Sequence, residues 1–596
     1  MIKFPYGIAN FYDIITDDYL YIDRTDRIRL LEEMGKYILF LRPRRFGKSL
    51  WLSTLQNYYD LAKADEFERL FGHLAIGQNP TSRHNQYFVM KWNFSEVNPL
   101  GDMQQIQQSL YSHINSIIDN FATYYQDYLP RQIKIEPTDA IVSFHSLLNV
   151  VQQTPYKLYL LIDEYDNFAN EVMMNPRQIN AERYKTLVEG EGLLKYLFKV
   201  IKAATEGNGL DRFFITGVSP VVMSDVTSAQ NIAKNIYFEP EFNDLCGFHE
   251  EEVSDMLQQI AANCDLSTDE TIEAMTTIRA YYDGYCFTYD GKIRIYNSTL
   301  VIYFLEHLQR HCQYPRNMLD KNLSSDRKKV EYAATLPGGE RLLIRALDEK
   351  EPLVVPNVTE RFGVRDMIEA NENDTFIGSL LYYLGMLTLG GNAPLRKLKL
   401  SVPNLVVRGL YFEQVQQVLL SGRYNREVEQ VAEIFYTTGN LQPVCDFLQP
   451  RFAILDNRDY RQANELLVKM AFLAVLFNDM YYMIDSELEL ERGYADLTMI
   501  IRPDMRPEPL LDHLIEFKYV SLGDVGLSGA EVRVLTPAAL RALPPVKAYF
   551  EGAKSQLTRY QKGLRNIYGD VLRLHSYIVV SVGFEQVVWE NVKREG

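Results

Sequence analysis

The sequence predicts an α/β protein of several domains, with a mainly parallel N-terminal sheet, a helical segment, a mixed connector and a small α/β unit at the C-terminus. Three observations predict it. Residues from about 37 to 220 alternate short apolar or β-branched runs with longer helix-like stretches, the pattern of parallel strands covered by helices. From residue 450 onward a helix precedes a strand-rich segment, another helix and two closing strands. At 596 residues the chain also exceeds what one hydrophobic core usually holds, so roughly two to four domains are expected.

Taken in order, strands are expected at 37–41, 87–94, 158–162 and 212–216, within a first domain of residues 1–246. Residues 247–330 read as helical, with HEEEVSDMLQQI and then YYDGYCF. The second motif reads as an aromatic packing cluster around the turn Asp283-Gly284. Residues 331–449 carry Pro and Gly breaks (LPGGERLL, VVPNV, GGNAPL) and read as a connecting domain of winged-helix character. Residues 450–596 form the last unit. No internal repeat or low-complexity tract is visible.

Composition narrows the function. The hydrophobic fraction of 47% and charged fraction of 23% are those of a globular protein. The net charge of −16 works against sequence-blind coating of nucleic acid, so any such contact requires a local basic groove. The five cysteines (Cys246, Cys264, Cys286, Cys312, Cys445) lie far apart with no CxxC pair, which suggests reduced thiols in a cytoplasmic protein. The N-terminus lacks a basic stretch followed by an apolar one. The most apolar run, 466–477, is broken by Lys469 and reads as a buried helix, so no membrane partner is expected. His307, His311 and Cys312 share helical spacing but lack a fourth ligand and read as an exposed helix face.

The first chemistry lies in KYILFLRPRRFGKSLWLSTLQNYY. An apolar strand runs into a turn, and Gly47-Lys48-Ser49 opens a helix. A phosphate chain needs backbone N–H groups at a helix N-terminus, an ammonium for its β/γ oxygens and a hydroxyl on Mg²⁺, and these residues supply them in order. Arg42 stands where the first Gly of GxxxxGK[ST] is usual. A second strand, 158–162, ends in Asp163-Glu164, where one carboxylate can hold Mg²⁺ and the next can polarise water. A third ends in polar Thr216, the place for a γ-phosphate-sensing group. Together these predict an ATP site.

The second chemistry lies in YYMIDSELELERGYADLTMIIRPDMRPEPLLDHLIEFKYV. Glu516 and Lys518, two residues apart in an apolar strand, share one face, which is costly without a partner or a function. Carboxylates around a divalent cation and a Lys that orients water are what phosphodiester hydrolysis requires. Two aspartates compete to complete the set. Pro503-Asp504 has the familiar letters, but strands flanking a Pro-rich turn should pair as a hairpin, and the midpoint of residues 496 and 516 falls at 506, inside that turn. Asp496 therefore lies opposite Glu516, whereas Asp504 sits on the order of 30 Å along the strand at about 3.3 Å per residue.

The segments PYGIANFYDI, YLYIDRT, LRPRRFGKSLWLSTL, LLIDEYD, FFITGVSP and YYDGYCF resemble the AAA-ATPase-like family of bacteria and some mobile elements, over about the first 300 residues. The resemblance implies an additional-strand P-loop ATPase, with the sensor strand between the P-loop strand and the acidic strand. It assigns nucleotide and Mg²⁺ to Gly47, Lys48, Ser49, Asp163 and Glu164, with Arg44 and Arg45 beside the phosphates. Residues 486–518 resemble the PD-(D/E)XK nuclease family, a restriction-endonuclease-like α/β fold, through Ser486, Glu487, Glu489, Gly493, Asp496, Glu516 and Lys518. Tyr494 replaces the family's usual Arg. Glu465 matches a further family acid and would complete a metal site with Asp496 and Glu516. Gln556 and Tyr560 match positions on a later helix, whose Lys554, Arg559, Lys562 and Arg565 offer a phosphate-binding face. The implied protein is an ATP-regulated nuclease using Mg²⁺ or Mn²⁺, with a setting in defence or mobile-element biology. Its partner would be nucleic acid, DNA before RNA, with self-association left open. The alternative is an ATP-driven signalling or scaffold protein whose nuclease-like domain only binds nucleic acid.

Overall fold

The computed structural model describes residues 1–98, 102–167, 193–220, 233–319, 324–348, 351–360, 373–419, 426–452, 464–485, 488–490 and 493–592. Strands β1 (Tyr37–Leu41), β2 (Tyr87–Asn93), β3 (Lys157–Asp163), β4 (Leu210–Gly217) and β5 (Lys234–Asn235) make one parallel sheet in the order β2-β3-β4-β1-β5. Helices α1 (Lys48–Tyr59), α2 (Met103–Tyr124), α3 (Ala140–Val151) and α4 (Leu193–Thr205) pack on it. The four long strands are buried on both faces, which is why each reads as a continuous apolar run. β4 lies between β3 and β1, as the resemblance implies.

Three helices follow: α5 (Glu250–Asn263), α6 (Thr268–Tyr282) and α7 (Ser298–His311). Cys264 ends α5, and Cys312 ends α7 in the left-handed region at φ 49°. These two cysteines form a disulfide, with Cα atoms 5.5 Å apart. This corrects the expectation of five reduced thiols. A sequence separation of 48 concealed that α5 and α7 lie side by side. Cys246, Cys286 and Cys445 are free and buried.

The connector contains α8 (Ser324–Thr335), α9 (Gly339–Ala346), β6 (Leu353–Val355), α10 (Asp374–Tyr383), β7 (Thr388–Ala393) and β8 (Lys397–Ser401). Its antiparallel sheet has the order β6-β8-β7, with helices first and a strand hairpin last. Helices α11 (Leu405–Leu419) and α12 (Arg426–Thr438) lead on to the C-terminal unit.

That unit opens with α13 (Asn464–Leu476), the buried apolar helix. Then come β9 (Tyr482–Asp485), β10 (Leu488–Leu490), β11 (Gly493–Ala495), β12 (Leu497–Ile501), β13 (Asp512–Val520), α14 (Pro544–Tyr568), β14 (Leu574–Val582) and β15 (Gln586–Val592). The mixed sheet has the order β15-β14-β13-β12-β9, with only β13 and β14 parallel, while β10 and β11 form a separate pair. β11 and β12 are separated by Asp496 alone.

Apolar packing runs across the expected domain bounds. One cluster joins Phe40, Tyr285, Leu389, Phe412 and Phe517. A second joins Leu257 and Tyr281 to Ile500, Leu514 and Leu557, on the other face of the C-terminal sheet. Among the described residues no helix is long and apolar enough to cross a membrane.

Candidate functional sites

At the first site β1 ends at Leu41 and the loop 42–47 turns into α1. Two residues take left-handed backbone to make that turn, Arg45 at φ 69° and Gly47 at φ 99°. No side chain caps α1, so its first-turn N–H groups point from an uncapped N-terminus, as a phosphate site requires. The buried Lys48 ammonium donates to the carbonyls of Arg42 and Pro43, each at 2.9 Å. Burial lowers its pKa, with Asp163, Glu164 and Asp166 pulling the other way. Ser49 is half-buried in the first turn of α1.

Arg42 does not face phosphate. Its fully buried guanidinium donates to the carbonyls of Leu41 at 2.8 Å, Tyr237 at 2.9 Å and Phe242 at 2.7 Å, and lies 4.0 Å from the centre of the Phe287 ring. It ties the loop to the chain that enters the helical segment. Position 42 is not among the left-handed residues, so its backbone makes no demand for glycine.

Asp163 is buried at the tip of β3, with Lys91 Nζ 3.9 Å from Oδ2. Glu164 follows at φ 50°, an unusual conformation for a residue with a Cβ, and such strain gathers at functional positions. The turn is held by Tyr165, whose N–H donates to Thr216 O at 3.3 Å, and by Asn167, whose N–H donates to Glu164 O at 2.9 Å. Burial raises the Glu164 pKa, while Arg44 and Lys48 draw it down, so its carboxylate lies within the field of the P-loop cations.

Thr216 corrects one expectation. Its strand is where it should be, but the hydroxyl is fully buried and donates to Phe40 O at 2.8 Å, joining β4 to β1 instead of facing a phosphate. A role that the sequence reading missed falls to Asp166. Its carboxylate accepts from the N–H of Ser219 at 2.7 Å, from the Ser219 hydroxyl at 3.0 Å and from the N–H of Val218, and so fixes the end of β4. The signal was the second acid of Asp-Glu-Tyr-Asp at residues 163–166.

At the second site β12 and β13 pair antiparallel with Leu497 opposite Ile515 and Thr498 opposite Leu514. Carried one residue further, that register sets Asp496 opposite Glu516. Both are buried, at 1% and 2% exposure. Asp496 Oδ2 accepts from the N–H of Phe517 at 2.7 Å and lies 3.7 Å from Lys518 Nζ. Lys518 donates to Glu516 Oε1 and to Phe517 O, both at 2.8 Å. Burial lowers the Lys518 pKa, yet Asp496, Glu516 and Glu465 outweigh it and the net direction is up.

Glu465, half-buried on α13, is thus close enough to act on Lys518. It does not close a trio with the other two carboxylates. Among the described residues no group of three or more His, Cys, Asp or Glu is gathered for a metal ion. Asp504 sits in the turn with its carboxylate paired to Arg502 at 3.0 and 2.9 Å. Ser486 and Glu487, and the side chains of Glu489 and Tyr494, lie outside the described residues.

Helix α14 packs Val546, Phe550, Ala553, Leu557 and Tyr560 inward. Its outer stripe meets Lys518 in a groove of about 460 Å³. Of the four basic residues expected to make a phosphate-binding face, only Arg559 lines this groove, and Lys554 pairs with Glu590 at 2.7 Å.

The two sites are physically joined by YYDGYCF. Phe46 of the P-loop meets the rings of Tyr285 and Phe287 edge-on, at 4.9 and 5.4 Å. At the other end the Tyr281 hydroxyl donates to Tyr482 O on β9 at 3.1 Å. Between them Gly284, at φ 100°, lies so close to Pro403 that an added Cβ would fall 2.0 Å from its carbonyl oxygen, which is why this turn needs glycine. The expected aromatic cluster therefore bridges the P-loop and the C-terminal sheet.

Both sites lie in stretches that match known protein families. Residues 5–227 match the family described as predicted AAA-ATPase, and residues 463–585 match the PD-(D/E)XK nuclease superfamily. An uncharacterised protein of the vnfD 5′ region in Azotobacter chroococcum mcd 1 is 24% identical over 551 residues, covering 88% of this chain and 90% of that one. Among solved structures the chain is similar to a Walker-type ATPase of Pyrococcus abyssi (13% identity, TM-score 0.37, 66% of this chain and 96% of that one). It is also similar to the Orc1 protein of Aeropyrum pernix, solved with DNA (12% identity, TM-score 0.23, 68% and 96%). The uncapped P-loop helix with its acidic strand tip thus lies within the stretch that matches the predicted AAA-ATPase family, and the opposed carboxylates with their lysine within the stretch that matches the PD-(D/E)XK nuclease superfamily.

Proposed function

We propose that the protein is an ATP-regulated, divalent-metal-dependent nuclease that cleaves phosphodiester bonds in nucleic acid, DNA before RNA. The observation that carries this reading is the convergence of Asp496, Glu516 and Lys518 on one buried face of a hairpin. Two buried carboxylates need a cation, and their hard oxygens suit Mg²⁺ or Mn²⁺. Asp496 and Glu516 would hold the ion, with Glu465 nearby. When bound, such an ion polarises the phosphoryl oxygen and lowers the pKa of a water. Lys518 orients that water, and the Phe517 N–H fixes one oxygen of Asp496.

In the ATPase, Gly47, Lys48 and Ser49 would receive the phosphates, with Ser49 and Asp163 toward Mg²⁺ and Glu164 toward the attacking water. Arg44 and Arg45 add positive charge on that side. Thr216 has no part in it. In this reading the chain divides into domains at 1–246, 247–330, 331–449 and 450–596. Regulation follows from the bridge through Phe46, Tyr285 and Tyr281: a P-loop that moves on binding ATP shifts the edge of the C-terminal sheet.

The test is cleavage of single- and double-stranded DNA and RNA with Mg²⁺ or Mn²⁺, with and without ATP. Glu516→Gln should abolish cutting and spare ATP hydrolysis. Tyr281→Phe should keep both activities and lose the dependence of cutting on ATP. A second reading, a signalling or scaffold protein whose nuclease-like domain only binds nucleic acid, is favoured by Tyr494 and by the net charge of −16. It takes over if no metal condition yields cutting.

A further inference from the structure

The groove between Lys518 and α14 carries a chemistry that the carboxylate site does not explain. Tyr549, Gly552, Gln556 and Arg559 follow one another at helical spacing along one stripe of α14, over about 15 Å at 1.5 Å per residue, and Ser555 lies beside them. Tyr549 is 40% exposed, although the residues to the core side of it are buried. One turn on, Gly552 leaves the floor open, since an added Cβ there would meet nothing within 4 Å. Arg559 is exposed and enters no ion pair among the described residues. The opposite wall is Lys518, which is tied to Glu516.

We propose that this groove seats an unpaired nucleotide, so that the substrate is single-stranded nucleic acid or an unpaired end. This rests on the nuclease reading and names its substrate class. A volume of about 460 Å³ falls within the roughly 300–1,000 Å³ of sites that take one small molecule. Tyr549 offers a π-face to one base, and stacking of this kind tolerates any sequence. A paired base has both faces covered and reaches such a face only after unstacking, which costs energy. Arg559 stands where a flanking phosphate would lie, an exposed positive charge in a protein of net charge −16. Gly552 keeps the helix low enough for the sugar to pass between Tyr549 and Arg559.

The test measures binding of short labelled single-stranded DNA, single-stranded RNA and duplex DNA by fluorescence anisotropy, in chelator, without metal. The wild type should bind single strands more tightly than duplex. Tyr549→Ala and Gly552→Leu should weaken single-strand binding roughly 5- to 100-fold and leave duplex binding unchanged, and Tyr549→Phe should restore it. Melting curves check the fold, and Gly552→Leu should melt no lower than wild type because its side chain enters open space. Equal affinity of the wild type for single strand and duplex overturns the proposal, as does unchanged single-strand binding in both variants. The DNA and RNA arms identify which sugar is accepted. Cleavage assays on Glu516→Gln separate the two readings: if that variant still cuts, the nuclease assignment fails, whereas the groove is judged by binding alone.

Discussion

Arg42 stands where phosphate-binding loops usually carry their first glycine, and replacing it with glycine, a change that improves the motif, is expected to damage the protein. The guanidinium makes three hydrogen bonds of 2.7–2.9 Å to carbonyls on two separate stretches of chain and lies 4.0 Å from the Phe287 ring. Hydrogen bonds from an ionised donor contribute about 1.5–3 kcal/mol each, and a desolvated cation–π contact about 2 kcal/mol. Burying the cation costs several kcal/mol in the other direction, and the same burial pushes its pKa down to about 10. The difference leaves a loss of about 3–5 kcal/mol for Arg42→Gly, with three carbonyls left to find water. At about 2–4 °C per kcal/mol for a cooperative unit of this size, the melting temperature should fall by roughly 6–20 °C in a calorimetric scan. Arg42→Lys should recover little, because one ammonium cannot span carbonyls that a planar fork reaches together. If Arg42→Gly melted within about 2 °C of wild type, the assignment of Arg42 as the tie between the loop and the helical segment would be wrong.

Three further outcomes follow from the geometry. Lys48→Ala should lower ATP affinity at least about 10-fold in calorimetry, since the loop would lose the ammonium that replaces its own carbonyl partners with phosphate; unchanged binding would rule out the P-loop. Asp504→Ala should leave cutting intact yet lower stability by about 1–3 kcal/mol in urea, because the fully buried Arg502 would lose its carboxylate while still bound to the carbonyls of Pro315 and Arg316; lost cleavage with stability unchanged would move the catalytic aspartate to 504. His513 is fully buried on β13, 4.0 Å from the Phe435 ring, and neither ring nitrogen has a partner among the described residues. Burial, then His575, hold its pKa well below the usual value. The folded state therefore favours the neutral ring, so its contribution is complete above about pH 6.5 and is lost as pH falls below that, by up to about 1.4 kcal/mol per unit. Unfolding midpoints of His513→Phe at pH 5.5 and 7.5 should differ less than those of wild type; an equal difference would place the acid sensitivity elsewhere.

What could be read in the chain was whatever depends on neighbours in sequence. Alternation within 512–520 sets Glu516 and Lys518 on one face, and the turn at 506 decides by symmetry that Asp496, not Asp504, stands opposite them. Continuous apolar runs marked β1, β3 and β4, because strands covered on both faces have no polar side to show. The motifs of the P-loop and its acidic strand tip are equally local, since each is a turn at the end of one strand. Tertiary structure decided everything that depends on which elements meet. The Cys264–Cys312 disulfide exists because α5 and α7 lie side by side across a sequence separation of 48. The Thr216 hydroxyl turns to Phe40 because β4 pairs with β1, and no property of residue 216 alone tells a strand-joining hydroxyl from one that faces a phosphate. Glu465 comes within reach of Lys518 because α13 packs on β13. Arg42, which looks like a defect in a motif, finds its carbonyls some 200 residues away, and the groove beside Lys518 arises only where α14 crosses β13. Burial and hydrogen bonding at such positions are set by surfaces brought together from distant segments, and a single strand or helix carries no record of its partner.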